Sequence, residues 1–264
     1  MNIVVCIKQV LDPNYFSQVV LDPVTKLVRR EGVPSITNPV DRNAIEQALQ
    51  IRERFSGKVT VMTMGPPQAR EALDESLAMG ADEAILLCDR AFAGADSFAT
   101  SYTLAAAIEK LCPFDLVLCG NGTVDSGTKQ VGPQLAELLD VPHVTNVRAM
   151  SFVGEEAILA ECPLENGHMK VEARLPALVT VNKGINEPRL TTIFGIMEVA
   201  AKPLKTCGLA DLGLSRDEVG LAGSPTQMTD AFEFKQRRRH EMLQGTPDQV
   251  AGEAVSRLRE LHAL

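Results

Sequence analysis

Short β-branched runs alternate with longer segments of helical hydrophobic spacing through the first half of the chain, and this alternation limits the possible folds more than any other feature. Residues 3–7 (Ile-Val-Val-Cys-Ile), 58–64 (Lys-Val-Thr-Val-Met-Thr-Met), 83–88 and 115–119 read as buried strands. Between them, Ala44, Ile45, Ala48, Leu49, Ile51 and Phe55 share one helical face. So do Ala69, Leu73 and Leu77, with Gly80 as the expected stop; then Leu104, Ile108 and Leu111 over residues 97–111; then Val131, Leu135, Leu138 and Leu139. Strands separated by helices of this length cannot pair as hairpins, so the pattern predicts an α/β fold: a parallel sheet flanked by helices.

The pattern then changes. Residues 144–152, 156–162 and 169–175 read as strands joined by short polar turns, a small antiparallel addition, and residues 177–181 return to a core strand. From Lys202 onward apolar periodicity weakens, until Val250, Ala254, Leu258 and Leu261 recover a helical stripe. A segment of this kind cannot bury much of itself. The expected division is therefore an α/β domain over residues 1–203 and an extended C-terminal arm with a helix over 204–264, packing on a partner chain.

Parallel sheets bind ligands in the crevice beyond the carboxyl ends of their strands. Here those ends carry Gly- and Pro-rich polar segments: Met64-Gly65-Pro66-Pro67, Phe92-Ala-Gly94-Ala95-Asp96-Ser97 and the loop from Gly120 to the helix at Val131. In that loop Gly120, Gly122, Gly127 and Gly132 let backbone approach a ligand closely. Ser126, Thr128 and the N–H groups opening the next helix are donors for phosphate oxygens, and Lys129 adds a point charge. Asp125 would repel phosphate, so it suits a helix cap or a ribose hydroxyl. Asp96 or Ser97 caps a second helix start, and Asn38-Pro39-Val40-Asp41 makes a third, with Asp41 as its cap. Each is also explained as a capped helix without a ligand, but three at one sheet edge exceed what capping requires. Neither G-x-G-x-x-G after the first strand nor G-x-x-x-x-G-K-[ST] occurs, so a nucleotide site must use other chemistry.

Several function classes are disfavoured. A net charge of −8 argues against a nucleic-acid partner, and the basic run at 236–240 (Gln-Arg-Arg-Arg-His) reads as a solvated tail. With no Trp and two Tyr, stacking on bases is poorly served. The six cysteines form no C-x-x-C pair or zinc spacing, and those in apolar runs (Cys6, Cys88 and Cys119) read as buried core in a reducing compartment. His143, His168, His240 and His262 are scattered, and no G-x-S-x-G elbow appears, so no catalytic residue is assigned. The opening residues lack a charged leader, and no apolar run reaches the ~18–20 residues of a membrane span, so a cytoplasmic protein without membrane insertion is expected.

Seven ordered motifs carry a family resemblance: IVVCIKQV, ITNPVD, VMTMGPP, AMGAD, DSGTKQVGP, LPALVTV and INEPRLTTIFGIM. Over residues 1–203 the chain resembles the β subunit of electron-transfer flavoprotein. The resemblance implies an adenine-nucleotide-binding, Rossmann-like α/β fold in an αβ heterodimer that relays electrons between flavoenzymes. It implies AMP in ordinary members and a second FAD in electron-bifurcating ones. The matching cofactor positions are Cys6, Asn38, Pro39, Val40, Asp41, Met64 and Gly65, then Gly120, Asn121, Gly122, Thr123, Val124, Asp125, Ser126, Gly127, Thr128, Lys129, Gln130 and Val131. For docking of the partner enzyme it implies Asn186, Glu187, Pro188 and Arg189, with Ile193 or Phe194 as apolar anchor.

Residues 84–101 resemble the bifurcating branch, which places Gly94, Ala95, Asp96, Thr100 and Ser101 against the additional FAD. That branch implies NADH as electron donor, ferredoxin or flavodoxin as one acceptor and an acyl-CoA dehydrogenase-like flavoenzyme as the other. Two features depart from it. The loop reads Asp125-Ser-Gly-Thr-Lys-Gln130 where bifurcating relatives often read Asp-Gly-Asp-Thr-Ala-Gln, and the docking segment continues as Glu198-Val-Ala-Ala-Lys202 where relatives are Lys-rich. An uncharged docking segment points to a dedicated partner held by apolar contact, or to packing on the α subunit. The alternatives are a carrier with structural AMP and, from another class, an ATP-binding regulatory domain like universal stress proteins. Against the latter stand the long C-terminal arm and the Asn-Glu-Pro-Arg element.

Overall fold

The β-branched runs become the centre of a parallel sheet whose order sets where a ligand can bind. The computed structural model describes residues 1–18, 20–21, 28–29, 32–227, 229, 241–261 and 263. The chain divides into two units, Met1–Thr229 and Asp230–Leu264. The first unit runs β1 (Asn2–Cys6), β2 (Gln9–Leu11), β3 (Val20–Leu21), β4 (Val28–Arg29), β5 (Ser35–Thr37), α1 (Pro39–Phe55), β6 (Lys58–Met64), α2 (Arg70–Met79), β7 (Glu83–Leu87), α3 (Ser97–Leu111), β8 (Leu116–Gly120) and α4 (Val131–Leu138). It continues with β9 (His143–Val147), β10 (Ala149–Val153), β11 (Ala157–Leu164), β12 (Gly167–Arg174), β13 (Ala177–Val181), α5 (Ile193–Glu198), β14 (Leu204–Cys207) and α6 (Leu209–Leu212).

Among the described residues, seven strands form the main sheet in the order β14-β7-β6-β1-β8-β13-β9, with every pairing parallel. From β1 the chain builds outward to β6 and β7, then returns to the other side of β1 with β8. That reversal leaves a crevice beyond the carboxyl ends of β1 and β8, where neighbouring connections diverge to opposite faces. Both faces are covered, which explains the unbroken apolar strands. Ile3 and Val5 meet Ile45 and Leu49 of α1 and Leu73 and Leu77 of α2 on one face. Val4, Met62 and Val117 meet Leu104 and Ile108 of α3 and Leu135 of α4 on the other. The two-residue period of the strand sorts neighbours to opposite layers.

Two expectations need correction. The run at 144–152 is two strands: β9 joins the main sheet beside β13, and β10 begins a separate antiparallel sheet, β10-β11-β12. Asn146 sits at φ 60° and the β9–β13 register shifts between Val179 and Val181, so the chain bends out of one sheet into the other. Both halves are extended, and apolar content could not reveal the break. The expected boundary at residue 203 also falls inside the first unit. β14 adds to the sheet edge beside β7, and Cys207, Leu212 and Val219 are buried in the α3 layer. A four-residue strand and isolated apolar residues leave no period to detect.

The second unit contains α7 (Pro247–Glu260). Its start is a capping box: Thr246 Oγ1 accepts from Gln249 N–H, and the Gln249 side chain accepts from Thr246 N–H. No residue of this helix is buried within the described chain. The basic run at 236–240, with His240, and His262 lie outside the described residues.

Because Leu212 lies in the core of the first unit, Leu212→Ala is expected to lower unfolding free energy by about 2–5 kcal/mol. Chemical denaturation checks this; a loss near zero would mean that residues 204–227 do not belong to the folded domain.

Candidate functional site

The start of α1 fastens the crevice. Pro39 occupies the first helical position, where no N–H partner is needed, and Asn38 before it makes no side-chain cap. Instead the Asn38 amide donates to the Gly122 carbonyl at 3.0 Å and accepts from Val124 N–H at 3.2 Å. Asp41 is buried, and its two oxygens accept from Lys8 N–H (2.8 Å) and Gly120 N–H (3.1 Å). The expectation that Asp41 caps its own helix is therefore corrected: it joins the ends of β1 and β8. A Cβ on Gly120 would lie 2.2 Å from Asp41 Oδ1, and one on Gly132 would lie 2.3 Å from Thr180 Cγ2. Both glycines admit neighbouring side chains of this protein. Burial pushes the Asp41 carboxyl up to about 7, against the opposing pull of Asn38 and the Lys8 and Gly120 N–H groups.

Beyond β8, Thr123 and Ser126 share a hydroxyl hydrogen bond of 2.8 Å, and Asp125, Ser126, Gly127, Thr128, Lys129 and Gln130 are exposed. Asp125 caps no helix. It pairs with Lys8 Nζ at 2.7 Å; burial works to raise its carboxyl, but Lys8, Thr123 and Ser126 hold it below the usual range. Gln130 makes no side-chain cap at α4, so among the described residues the first N–H groups of this helix have no capping partner beside this loop. Asn121, named from the sequence, joins a polar group whose other members, Asn146, Thr180 and Asn182, were missed there. Thr180 donates to Asn121 Oδ1 at 3.3 Å, and the amides of Asn121 and Asn182 both donate to Asn146 Oδ1, at 3.2 and 3.3 Å. The available signal was an Asn closing the apolar run of β13.

The α3 start lies beside the α4 start, since Ser97 Oγ donates to Gln130 Oε1 at 2.8 Å. Asp96 caps α3 through Ala99 N–H, as expected, while its second oxygen accepts from Thr226 N–H at 2.9 Å. Ser101 is buried and donates to the Ser97 carbonyl. Both side chains are thus engaged by the chain itself; Ser101 is buried, Asp96, Ala95 and Thr100 are half-buried, and Gly94 is exposed. Cys6, in register with Cys119, is buried, and burial pushes its thiol well up. Met64 is half-buried, and Gly65 N–H bonds the Leu87 carbonyl.

The segment at 186–202 forms a second candidate surface. Asn43 and Asn186 exchange amide hydrogen bonds: Asn43 Nδ2 donates to the Asn186 carbonyl (2.9 Å), and Asn186 Nδ2 to the Asn43 carbonyl (3.0 Å). Arg189 grips Glu46 through Nε (2.7 Å) and Nη2 (3.1 Å), and Glu53 through Nη1 (2.7 Å). Asn186 and Arg189 therefore bind their own chain, and Pro188 is half-buried between them. Glu187 is exposed, as are Ile193 (76%) and Phe194 (78%), together with Leu190, Ile196 and Met197.

The folded chain holds the Asp41 proton more tightly than an unfolded chain, whose carboxyl titrates near 4. Stability from this group therefore falls as pH rises from about 4 to about 7 and is level on either side. Asp41→Asn should remove that descent from the profile of unfolding temperature against pH. An unchanged slope would show that Asp41 ionises in the ordinary acid range.

Residues 25–212 match the family model of the electron transfer flavoprotein domain. The chain is 48% identical to the electron transfer flavoprotein subunit beta of Thermoanaerobacterium thermosaccharolyticum, with 100% of each chain covered. It is 47% identical, over 100% of each chain, to the caffeyl-CoA reductase-Etf complex subunit CarD of Acetobacterium woodii. It is 43% identical, over 99% of each, to the electron transfer flavoprotein subunit beta of Clostridium acetobutylicum. A seven-stranded parallel sheet, a family-model match over residues 25–212 and full-length similarity to β subunits together place this chain in the electron transfer flavoprotein β-subunit family.

Proposed function

We propose that this chain is the β subunit of a heterodimeric electron-transfer flavoprotein that holds FAD at the β1/β8 crevice, takes electrons from NADH and bifurcates them. The carrying observation is the pair of adjacent helix starts, α3 and α4, joined by Ser97 and Gln130, with α4 uncapped beside an exposed hydroxyl-rich loop. Open N–H groups at a helix start favour a phosphate, and the Ser126 and Thr128 hydroxyls and the Lys129 charge add donors of matching chemistry. The residues present therefore fit an adenine-nucleotide group, whether AMP or the adenine half of FAD. A bound flavin would supply the redox chemistry. The chain's own contribution is to bind and orient it: Asp41 and Asn38 fix the loop, and the Lys8–Asp125 pair closes one side.

The bifurcating reading is supported by the Gly94-Ala95-Asp96 segment beside this crevice and by similarity to a subunit of a caffeyl-CoA reductase-Etf complex. In this reading the acceptors are ferredoxin or flavodoxin and, through the α-subunit FAD, an acyl-CoA dehydrogenase-like enzyme. A second reading, a non-bifurcating carrier with structural AMP, is favoured by the engagement of Asp96 and Ser101 with their own chain. The family assignment leaves the ATP-binding regulatory alternative without support.

Docking of the acceptor enzyme is assigned to the exposed apolar segment at Ile193 and Phe194, and α7 with the rest of the second unit to the α subunit. A cytoplasmic setting is part of this reading, supported by the free cysteines of the described residues. No helix among the described residues is long and apolar enough to cross a membrane.

Denaturing the co-expressed heterodimer and counting released nucleotides separates the readings. Two FAD and no AMP, with bleaching of flavin absorbance by NADH, is the expected result; one FAD and one AMP would establish the carrier. Phe194→Ala should raise the acceptor enzyme's KM with little salt dependence, because the contact it removes is apolar. A KM unchanged by this substitution would remove the docking assignment.

A further inference from the structure

The apolar segment is presented by a helix that has little means of standing alone. α5 has six residues, fewer than an isolated helix needs to persist in water, and none of them is buried. Its placement depends on anchors made elsewhere. Gly195 lies so close to α2 that a Cβ would fall 2.3 Å from the Ala78 carbonyl. Lys202 Nζ donates to the Leu77 and Ala81 carbonyls at the end of α2. At the other side the anchor is Glu46, on α1.

Glu46 is only 4% exposed, and its burial needs a physical reason, because an enclosed carboxylate is costly unless paired. Its partners supply that reason. One oxygen accepts from Arg189 Nε and, at 3.2 Å, from Arg189 N–H; the other accepts from Arg189 Nη2 and from Gln50 Nε2 at 2.8 Å. Three of these four donors belong to one residue of the docking segment, including its backbone. A fork of this kind fixes both the position and the orientation of the chain that carries it. Asn43, one turn earlier on α1, adds the reciprocal amide pair with Asn186.

We infer that Glu46 is a positioning residue for acceptor docking. It touches neither cofactor nor acceptor, and it sets how residues 190–197 are presented by holding Arg189. The inference rests on the docking assignment made above. α1 also begins with Asn38 and Asp41, which hold residues 120–124, and eight helical residues from Asn38 to Glu46 span about 12 Å. One rigid helix therefore fixes the crevice loop and the docking segment relative to each other. A loosened docking segment presents its apolar contacts in the right arrangement less often, so it should weaken encounter with the acceptor without altering the crevice.

The test uses the intact αβ heterodimer, a short-chain acyl-CoA dehydrogenase as docking probe and ferricyanide as an acceptor too small to need docking. Glu46→Gln keeps the shape of the side chain and removes its charge. The KM for the dehydrogenase should rise roughly tenfold, the effect of weakening hydrogen bonds to a charged group. The maximal rate, the ferricyanide rate and the nucleotide content should stay unchanged, and hydrogen exchange over residues 190–198 should quicken. Arg189→Lys, which keeps the charge but loses the fork, tests the same pair from the docking side and should also raise KM. An unchanged KM in both variants, with Phe194→Ala still raising it, overturns the role of Glu46 and leaves the docking assignment standing. No effect of Phe194→Ala overturns the docking assignment and this inference with it. Loss of nucleotide together with the ferricyanide rate in both variants shows a general structural role and also overturns it.

Discussion

One carboxylate joins the ends of two central strands at the border of the candidate site. β1 and β8 are neighbours in the sheet, and at their carboxyl ends the N–H groups of Lys8, just past β1, and Gly120, the last residue of β8, need acceptors that the strands do not supply. Asp41 gives one oxygen to each. Burying an unpaired backbone donor is costly, so the position of α1 is tied to the end of the sheet by the need to satisfy both. Gly120 follows from the same contact, since a side chain there would displace the carboxylate. With α1 fixed, Asn38 reaches residues 122 and 124 and gives the crevice loop its shape.

The same helix shows how a buried polar face can serve placement. Ile45, Ala48 and Leu49 pack α1 on the sheet, while Asn38, Asp41, Asn43, Glu46 and Gln47 are also buried. Polar side chains in such a place are tolerable only when partnered. Here the partners belong to the crevice loop at one end and to the segment at 186–189 in the middle. The helix is less a source of stability than a jig for two loops that cannot position themselves.

Much of this could be read from the chain. The strand and helix periods gave the layered α/β class, because a strand covered on both faces must be apolar throughout. The ordered motifs carried the family resemblance. Side-chain roles were harder to read. Asp41, Asp96 and Asp125 each appeared in the sequence as an acid near a helix start, and only Asp96 caps a helix. Asp41 bonds residues 33 and 79 positions away, and Asp125 bonds one 117 away. No local pattern encodes such choices. Residues 204–227 were misread for a related reason, since a short edge strand and scattered apolar residues are recognisable only against the surface they cover.

By itself, then, the sequence determined the main alternation of strands and helices, the parallel α/β class and the family. These follow from local period and composition, where the relevant neighbours are a few residues apart. Tertiary structure alone decided that Asp41 and Glu46 are braces, that Asn121, Asn146, Thr180 and Asn182 join in one hydrogen-bonded group, and that Asn186 and Arg189 are held inward while Ile193 and Phe194 are left outside. Each of those outcomes is a competition among distant partners for one donor, acceptor or surface. Such a competition is settled only when the sheet and helices have brought the competitors together.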